Sequence, residues 1–209
     1  MIHLYTWTTP NSQKANIAVE EMGVTYKVVP VDIGQGEQFA SDFLKISPNN
    51  KIPAIVDDRQ GVTLMESGAI LFYLGQLTGR LIPCSQRNYW SCIEWLFWHS
   101  AGQGPVSGQL GFFQTNADMA PFALDRFRKE VARLYSVMDK RLEEVEFLAE
   151  ELSIADISAW PWVSRFGRIG IDLAEYPNVK RWYLEIANRP AVQRGFEILQ
   201  PAEKIPLPE

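Results

Sequence analysis

The sequence predicts an α/β domain followed by an all-α domain, because its apolar residues follow two different patterns. Up to residue 79, short runs of alternating or β-branched residues are interleaved with segments whose apolar residues recur every three or four positions. This alternation predicts the order β-α-β-α-β-β-α. Beyond Pro83 the helical spacing continues and no further convincing strand occurs. The predicted domains are residues 1–79 and residues 87–209, joined by a linker at 80–86.

The first half of the α/β domain predicts two strands and two helices. Ile2–Thr6 alternates apolar and polar residues, and residues 26–31 are rich in β-branched residues, so both segments predict strands. A helix between them ends at Gly23, a residue well suited to a C-cap. Residues 39–44 predict a short second helix after a glycine-containing loop. The apolar stripe of the first helix consists of Ala15, Ala18, Val19 and Met22.

The second half of this domain predicts a hairpin and a helix. Ala54–Asp57 and Val62–Met65 are short apolar runs on either side of the turn-forming residues 58–61. A helix follows and ends at Gly79, which is again suited to a C-cap. The apolar stripe of this helix consists of Ile70, Tyr73, Leu74 and Leu77.

The second domain predicts a bundle of helices. The helix at residues 87–100 is apolar on nearly all sides, which implies burial against more than one neighbour, with part of its surface in a dimer contact. Residues 124–145 carry the repeat of a long amphipathic helix in a bundle. The segment 153–156 resembles a capping box that starts another helix. Pro177 suits the first turn of the next helix, and Pro190 is expected to stop it.

Composition indicates a soluble globular protein with a substantial core. Of the 209 residues, 46% are hydrophobic and 22% are charged, which argues against a disordered chain. The formal charge of −5 argues against a general nucleic-acid binder, which normally presents a basic patch. No apolar run is long enough to span a bilayer and the amino terminus lacks a signal-peptide pattern, so we expect a cytoplasmic protein without a membrane partner. Cys84 and Cys92 fit no metal-ligand pattern, which predicts neither a zinc site nor a disulfide framework.

The segment from Ser47 to Ser67 is predicted to hold the ligand. Pro53 precedes an apolar run, so it either starts a strand or forms a cis bond with Ile52. A cis bond would turn the backbone N–H and C=O of Ile52 outward, where they can bind a peptide as an additional strand. Glu66 and Ser67 open the last helix of the domain, and a helix start offers unpaired N–H groups to a carboxylate. The two features would face one small peptide from two sides.

The motifs of both domains together resemble those of cytosolic glutathione transferases. Ile-Pro precedes the third strand, Glu-Ser-Gly-Ala-Ile opens the last helix of the first domain, and Ser-Ile-Ala-Asp occurs in the helical domain. Within that superfamily, the segments at 9–11, 46–55, 95–98 and 159–162 are similar to the nu class of bacterial enzymes. The resemblance covers essentially the whole chain. It implies a thioredoxin-like domain with a mixed sheet, an α-helical bundle domain, a homodimer, and glutathione as co-substrate.

The resemblance suggests a partner for each end of the γ-glutamyl-cysteinyl part of glutathione. Glu66 can pair with the α-ammonium group, and Ser67 can receive the γ-glutamyl carboxylate through its hydroxyl and its backbone N–H. Ordinary helix capping is the alternative role of these two residues. Ile52 would exchange backbone hydrogen bonds with the cysteinyl unit, with Pro53 as a structural cis-proline.

Three further residues are candidate glutathione contacts. Lys51 and Gln38 could hold the glycine carboxylate, although a lysine taken alone is more often a solvated surface charge. By resemblance, Arg126 also enters the site from the helical domain. An arginine on a long amphipathic helix usually lies on the solvated face. Lys51 and Arg126 therefore each retain a surface role as the alternative.

Thr9 and Asn11 are the predicted catalytic residues. A thiol acts as a nucleophile only as the thiolate, and lowering its pKa by about 2 units requires roughly 2.7 kcal/mol of preferential stabilisation. One or two hydrogen bonds to the charged sulfur, at about 1.5 to 3 kcal/mol each, are sufficient. The resemblance assigns the sulfur ligands to this turn, with the Thr9 hydroxyl and the backbone and side-chain N–H groups of Asn11 as donors. Turn and N-cap duty is the alternative, and both roles can coexist.

The predicted site contains no cysteine of its own, which distinguishes it from a glutaredoxin-like site. The resemblance implies that two glutathione molecules, or their disulfide, occupy each site, and that a bound thiolate attacks a disulfide substrate. Cys84 and Cys92 are interpreted as packing residues. His3 and His99 have no acid-base partner visible in the sequence, so neither is assigned a catalytic role.

Three functions are compatible with the sequence. The first is a glutathione-dependent disulfide reductase with weak transferase or peroxidase activity. The second is glutathione conjugation or ether cleavage of an aromatic electrophile, motivated by the aromatic residues of the helical domain, although most such residues are core. The third is a non-catalytic glutathione-binding or regulatory protein. The aromatic residues concerned include Phe112, Phe113, Trp160 and Trp162.

Overall fold

The computed structural model describes residues 1–208, apart from the side chain of Met119. The described chain forms two compact units. The first unit comprises Met1–Ile82 and Asn188–Ile205, and the second comprises Pro83–Ala187 with the carboxyl-terminal residues. In chain order the main elements are β1 Ile2–Thr6, α1 Pro10–Met22, β2 Tyr26–Pro30, α2 Ser41–Ile46, β3 Ala54–Asp57, β4 Val62–Met65, α3 Ser67–Thr78, α4 Gln86–Trp98, α5 Gly104–Thr115, α6 Pro121–Glu144, α7 Ile154–Val163, α8 Pro177–Ala187 and α9 Pro190–Glu197.

Within the described residues, the first unit is built on a four-stranded mixed sheet in the order β2-β1-β3-β4. β1 runs parallel to β2 and antiparallel to β3, and β3 pairs antiparallel with β4. Pro30 ends β2 at the edge of the sheet, where a residue without an N–H is tolerated. This sheet with its helices confirms the predicted thioredoxin-like βαβαββα domain.

Helix α1 is packed against α3 on one side and α9 on another. Its predicted apolar stripe is buried, and burial extends to every residue from Ser12 to Val19. The approach of α9 is close: a Cβ added to Gly195 would stand 2.6 Å from the Cα of Ile17. Gly23 adopts the left-handed conformation with φ 66° and ends the helix as predicted. The polar residues near the start of α1 are therefore enclosed by the fold.

Three chain segments meet at one end of the sheet. β1 ends beside the start of β3, because Tyr5 pairs with Ala54. β4 ends there as well, because Met65 pairs with the same Ala54. The turn that leads into α1, the residues that precede β3 and the start of α3 therefore lie at the same edge. Strand pairing alone brings together the three segments for which a role in ligand binding is predicted.

The second unit is helical, as predicted, and contains α4 to α8. The predicted capping box between Ser153 and Asp156 is present at the start of α7. α4 leaves the side chains of Trp90 and Phe97 60% and 66% exposed. The single chain therefore does not enclose α4 on nearly all sides, and an apolar surface remains on this helix.

Some boundaries differ from the predicted ones. The short helix predicted at 39–44 is a 3₁₀ turn, Glu37–Phe39, followed by α2. Pro190 follows the end of α8, as expected, but it also opens α9, because the N–H that proline lacks would be unpaired in a first helical turn anyway. Asn188–Ile205, which falls in the predicted segment 87–209, packs with the first unit. The predicted division of the chain into domains stays a prediction.

No helix in the described part of the chain is long and apolar enough to cross a membrane.

Candidate functional site

A cleft open to solvent lies at the end of the sheet where the three segments meet. Its empty volume is ≈ 320 Å³, including the part that is open to solvent. The walls come from the start of α1, from the turn before β3 and from the start of α3, all within the first unit. The residues that line it are Asn11, Ser47, Asn49, Lys51, Ile52, Pro53, Met65, Glu66 and Ser67.

The turn before β3 presents the backbone of Ile52. The buried Ser47 shapes this turn, since its Oγ donates to the C=O of Lys51 over 2.8 Å and its own C=O accepts from the N–H of Asn50 over 2.8 Å. The bond between Ile52 and Pro53 is cis, one of the two geometries considered from the sequence. Among the described residues, no backbone hydrogen bond outside the helices and strands involves the N–H or C=O of Ile52. These groups are therefore available to an extended peptide.

Glu66 and Ser67 start α3 without the usual side-chain cap. Glu66 is the N-cap residue, with φ 72° and ψ 114°, a conformation that non-glycine residues rarely adopt. Its C=O accepts the N–H of Ile70 over 3.0 Å, but no side-chain hydrogen bond caps this helix start among the described residues. Glu66 therefore caps the helix through its backbone, and no described side chain adds a cap. The N–H groups of the first turn can receive a carboxylate.

Lys14 is a neighbour of the site that the sequence did not predict. Its side chain is 3% exposed, and its Nζ donates to the Oγ of Ser67 over 3.4 Å. Burial lowers the pKa of Lys14 from 10.5 to about 7, and the negative charge of Glu66 partly opposes this shift. A lysine in an amphipathic helix normally lies on the solvated face. Lys14 is enclosed by elements that come later in the chain, so no local pattern marks it as buried.

The start of α1 places the two predicted catalytic residues differently. Thr9 is the N-cap residue, and its Oγ1 accepts from the N–H of Ser12 over 3.3 Å. A hydroxyl group that accepts one hydrogen bond can still donate its own hydrogen to another group. Asn11 lies in the first turn of the helix and lines the cleft, whereas Thr9 is not among the described residues that line it. The N-cap role considered for Thr9 is therefore observed, and its sulfur contact stays a prediction.

The remaining candidate contacts of glutathione lie on three different segments of the chain. Lys51 is exposed and lines the cleft. Gln38 lies in the 3₁₀ turn Glu37–Phe39 and is not among the described lining residues, and its buried Oε1 has no hydrogen-bond partner within the described chain. Arg126 is exposed on α6 in the second unit. The glutathione contacts of Gln38 and Arg126 stay predictions.

The thiols of the protein do not belong to the cleft. Cys84 is exposed and Cys92 is buried, and both are free cysteines of the second unit. Burial raises the pKa of the Cys92 thiol, which disfavours the reactive thiolate. The described residues that line the cleft include no cysteine.

The sequence matches a known protein family whose fold agrees with the one described above. Residues 1–76 match the family described as Glutathione S-transferase, N-terminal domain, and residues 121–185 match Glutathione S-transferase, C-terminal domain. The chain belongs to the glutathione S-transferase family. It is 46% identical over 203 residues to the disulfide-bond oxidoreductase YfcG of Escherichia coli (strain K12), with 94% of each chain covered.

Two solved structures resemble the chain over nearly its whole length. A glutathione transferase from Pseudomonas putida, with one glutathione disulfide bound per subunit, has a TM-score of 0.90 and 36% identity, covering 94% of this chain and 91% of that one. A glutathione transferase from Burkholderia graminis, with two glutathione molecules bound per subunit, has a TM-score of 0.89 and 37% identity, covering 97% of this chain and 89% of that one.

Proposed function

We propose that this chain binds glutathione in the cleft at the end of the sheet and activates the glutathione thiol to reduce disulfide bonds. The cleft is the observation that carries the proposal. It combines the backbone N–H and C=O of Ile52, which make no backbone hydrogen bond outside helices and strands within the described chain, with a helix start that no described side chain caps. None of its described lining residues is a cysteine. A protein with this cleft can contribute binding and activation, while the reacting sulfur comes from glutathione.

The relatives support this assignment and its details. YfcG is named a disulfide-bond oxidoreductase, and the two solved relatives hold either one glutathione disulfide or two glutathione molecules per subunit. Two thiols, or one disulfide, are what a glutathione-dependent disulfide exchange would bind. We place the chain in the nu class of the family, on the similarity of its segments 9–11, 46–55, 95–98 and 159–162.

Glutathione would lie across the cleft as an additional strand. Its γ-glutamyl carboxylate meets the first turn of α3 at Ser67, and its ammonium group pairs with Glu66. The cysteinyl unit exchanges backbone hydrogen bonds with Ile52, which directs the thiol toward the start of α1. The further contacts of the proposal are Lys51, Gln38 and Arg126.

The reaction is a pair of thiol-disulfide exchanges. Hydrogen bonds from Asn11 and Thr9 hold the first glutathione as a thiolate. This thiolate attacks one sulfur of the substrate disulfide, forms a mixed disulfide and releases the other sulfur as a thiolate that takes up a proton. A second glutathione thiolate attacks the glutathione sulfur of the mixed disulfide, which yields glutathione disulfide and the second substrate thiol. Two glutathione molecules are thereby oxidised and one substrate disulfide is reduced.

The proposal includes weak transferase or peroxidase activity, because an activated thiolate also attacks electrophiles and peroxides. It includes a homodimer, which is supported by the exposed apolar surface that Trp90 and Phe97 form on α4. It does not include nucleic acid or a membrane as a partner.

The test is the steady-state reduction of 2-hydroxyethyl disulfide by the purified protein at saturating glutathione. We expect turnover above the uncatalysed exchange, and we expect the variant with Cys84→Ser and Cys92→Ser to retain it, because the reacting sulfur belongs to glutathione. No turnover by the parent protein would contradict the proposal. Loss of turnover in the cysteine-free variant, with its fold intact, would contradict the proposed source of the sulfur.

The same assay separates catalysis from binding alone. Asn11→Ala should lower turnover with little change in glutathione affinity if Asn11 stabilises the thiolate. An inactive parent protein that still binds glutathione would support a non-catalytic binding protein instead.

A further inference from the structure

Lys14 is a buried ammonium group directly behind the Ser67 hydroxyl. Its side chain is 3% exposed, its Nζ lies 3.4 Å from Ser67 Oγ, and it is not among the described residues that line the cleft. Burial of a lysine is unfavourable, since the charged form loses its hydration. Because Lys14 contacts Ser67, which lines the cleft, its charge can act on a ligand bound there.

The charged surroundings of Lys14 are limited. From the start of α3, the carboxylate of Glu66 acts on Lys14 and favours its charged form. The buried face of β1 presents Ile2, Leu4 and Thr6, none of which titrates. On α9, Glu197 is exposed. On the opposite face of β1, His3 pairs with Asp58 and Tyr5 packs against Phe43. The other charged or titratable groups of α1, α3 and the start of α9 are paired: Arg189 with Glu21, Arg194 with Glu20, and Tyr73 with Asp57.

We propose that Lys14 is a positioning residue for the γ-glutamyl carboxylate of glutathione, acting through the Ser67 hydroxyl, and that its charge makes glutathione affinity depend on pH. This inference rests on the proposed glutathione-binding function. It adds Lys14, which does not line the cleft, to the residues that bind glutathione. It also predicts that Lys14 takes up a proton when the ligand binds.

The hydrogen bond from Lys14 fixes the direction of the Ser67 hydroxyl. A lysine ammonium group only donates, so Ser67 Oγ accepts from it and turns its own hydrogen elsewhere. The hydrogen of Ser67 can then be donated to a carboxylate in the cleft. The positive charge of Lys14 adds to the attraction that the N–H groups of α3 exert on this carboxylate. A ligand carboxylate in turn favours the protonated form of Lys14.

The direction of the pH effect follows from burial. In the free protein the pKa of Lys14 is lowered to about 7. Below about pH 7 Lys14 is charged and can attract the ligand carboxylate, whereas above about pH 7 Lys14 of the free protein is deprotonated. Binding of the carboxylate raises the pKa, so the ligand restores the proton. Affinity for glutathione should therefore fall as the pH rises above about 7.

The test measures binding of S-methylglutathione, whose alkylated sulfur cannot titrate, by isothermal titration calorimetry. If only the charged form of Lys14 binds, the dissociation constant rises about tenfold between about pH 6 and about pH 8. In two buffers of different ionisation enthalpy, the heats should correspond to uptake of close to one proton per ligand at about pH 8 and almost none at about pH 6.

Variants assign the effect to Lys14. Lys14→Met should bind more weakly at about pH 6 and lose the pH dependence, whereas Lys14→Arg should keep binding and lose the pH dependence, because arginine stays charged throughout. Lys45→Met is the matched control, since Lys45 is exposed and pairs with Asp42 on α2. It should keep the pH dependence of the parent protein. Titration of the ligand's amino group is common to all four proteins and cancels in the comparison.

Two results would overturn the inference. The first is an affinity of the parent protein that does not change between about pH 6 and about pH 8, without proton uptake; this measurement requires no variant to fold. The second is a pH dependence that persists in folded Lys14→Met. Absence of S-methylglutathione binding at every pH would contradict the proposed function itself, and is thereby distinguishable from failure of the inference alone.

Discussion

At the residue scale, Thr9 combines two hydrogen-bonding roles on one hydroxyl group. The oxygen accepts from the N–H of Ser12 and so caps α1, while the hydrogen remains to be donated. The cap stabilises the helix, and the donated hydrogen is proposed to stabilise the glutathione thiolate. A substitution at Thr9 that keeps the helix cap but cannot donate a hydrogen bond to the thiolate would separate the two roles.

Thr9→Asp is such a change. Aspartate is at least as good an N-cap residue as threonine, so the free energy of unfolding should stay within about 1 kcal/mol of the parent value. Its carboxylate donates no hydrogen bond and repels a thiolate, so turnover of disulfide reduction should fall tenfold or more, the equivalent of about 1.4 kcal/mol. Urea unfolding and steady-state kinetics measure the two effects. Thr9→Ser should change neither one, and parent-like turnover of Thr9→Asp would refute the role in activation.

Glu66 has an unfavourable backbone conformation at a position where its side chain is proposed to bind the ammonium group of glutathione. Its φ of 72° is a conformation that favours glycine, yet the proposed ammonium contact requires a carboxylate at this residue. The proposed function and the backbone preference are therefore opposed at this residue.

Two substitutions at Glu66 should separate these effects. Glu66→Gln loses the charge and keeps the strain, whereas Glu66→Gly loses both. We expect both variants to raise the KM for glutathione, and Glu66→Gly to be more stable than Glu66→Gln by about 1 kcal/mol in urea unfolding. Equal glutathione affinity of the parent and both variants would rule out the ammonium contact.

At the element scale, α1 contributes both to the proposed thiol site at Asn11 and to the proposed carboxylate site at Ser67. Its first turn carries Asn11 at the cleft, and its next turn carries Lys14 behind Ser67. The helix is enclosed because α3 and α9 pack against it. A buried lysine in such a helix should lower the stability of the free protein whenever it is charged.

The stability of the free protein should therefore depend on pH through Lys14. Its pKa in the folded protein, about 7, lies below its ordinary value of 10.5, so between these values the unfolded chain binds more protons. Stability from this group is lowest below about pH 7 and rises with pH up to about 10.5. Between about pH 6 and about pH 9 the gain should be about 2 to 3 kcal/mol.

Lys14→Met tests this dependence. The variant should be more stable than the parent protein at about pH 6 and should lack the gain at about pH 9. Urea unfolding at both pH values, with Lys45→Met as the control, measures the difference. A parent protein and a Lys14→Met variant with parallel pH profiles would show that Lys14 is not held at a lowered pKa.

The sequence predicted those elements whose signals are local. β1, β3 and β4 have the predicted boundaries, and the capping box at Ser153 is present, because alternation and capping act over a few residues. The packing of α9 on α1 was not predicted, because it joins segments far apart in the chain. The same reason applies to Lys14, whose burial depends on these distant segments rather than on its neighbours in sequence.

At the scale of the whole molecule, the site could be predicted only as far as its local motifs reach. The cis bond before Pro53 and the helix start at Ser67 lie near each other in sequence, and β-pairing places both at the cleft. Gln38 and Arg126 lie on other segments, and their contacts with glutathione depend on arrangements that local sequence does not encode.

The reacting sulfur is proposed to come from glutathione and not from a cysteine of the protein. Its described cleft residues include no cysteine, and its buried Cys92 thiol has a raised pKa. If glutathione supplies the reacting sulfur, as proposed, activation should be visible on glutathione itself, as a lowered pKa of the bound thiol.

The most direct measurement is the pH titration of the thiolate absorbance of glutathione bound to the cysteine-free variant with Cys84→Ser and Cys92→Ser. A free thiol titrates at about pH 8.5, and we predict that the pKa of the bound thiol is about 2 units lower. Asn11→Ala in the same background should return the pKa toward the free value. A bound thiol that titrates at about pH 8.5 in the cysteine-free protein would contradict thiolate activation at the start of α1.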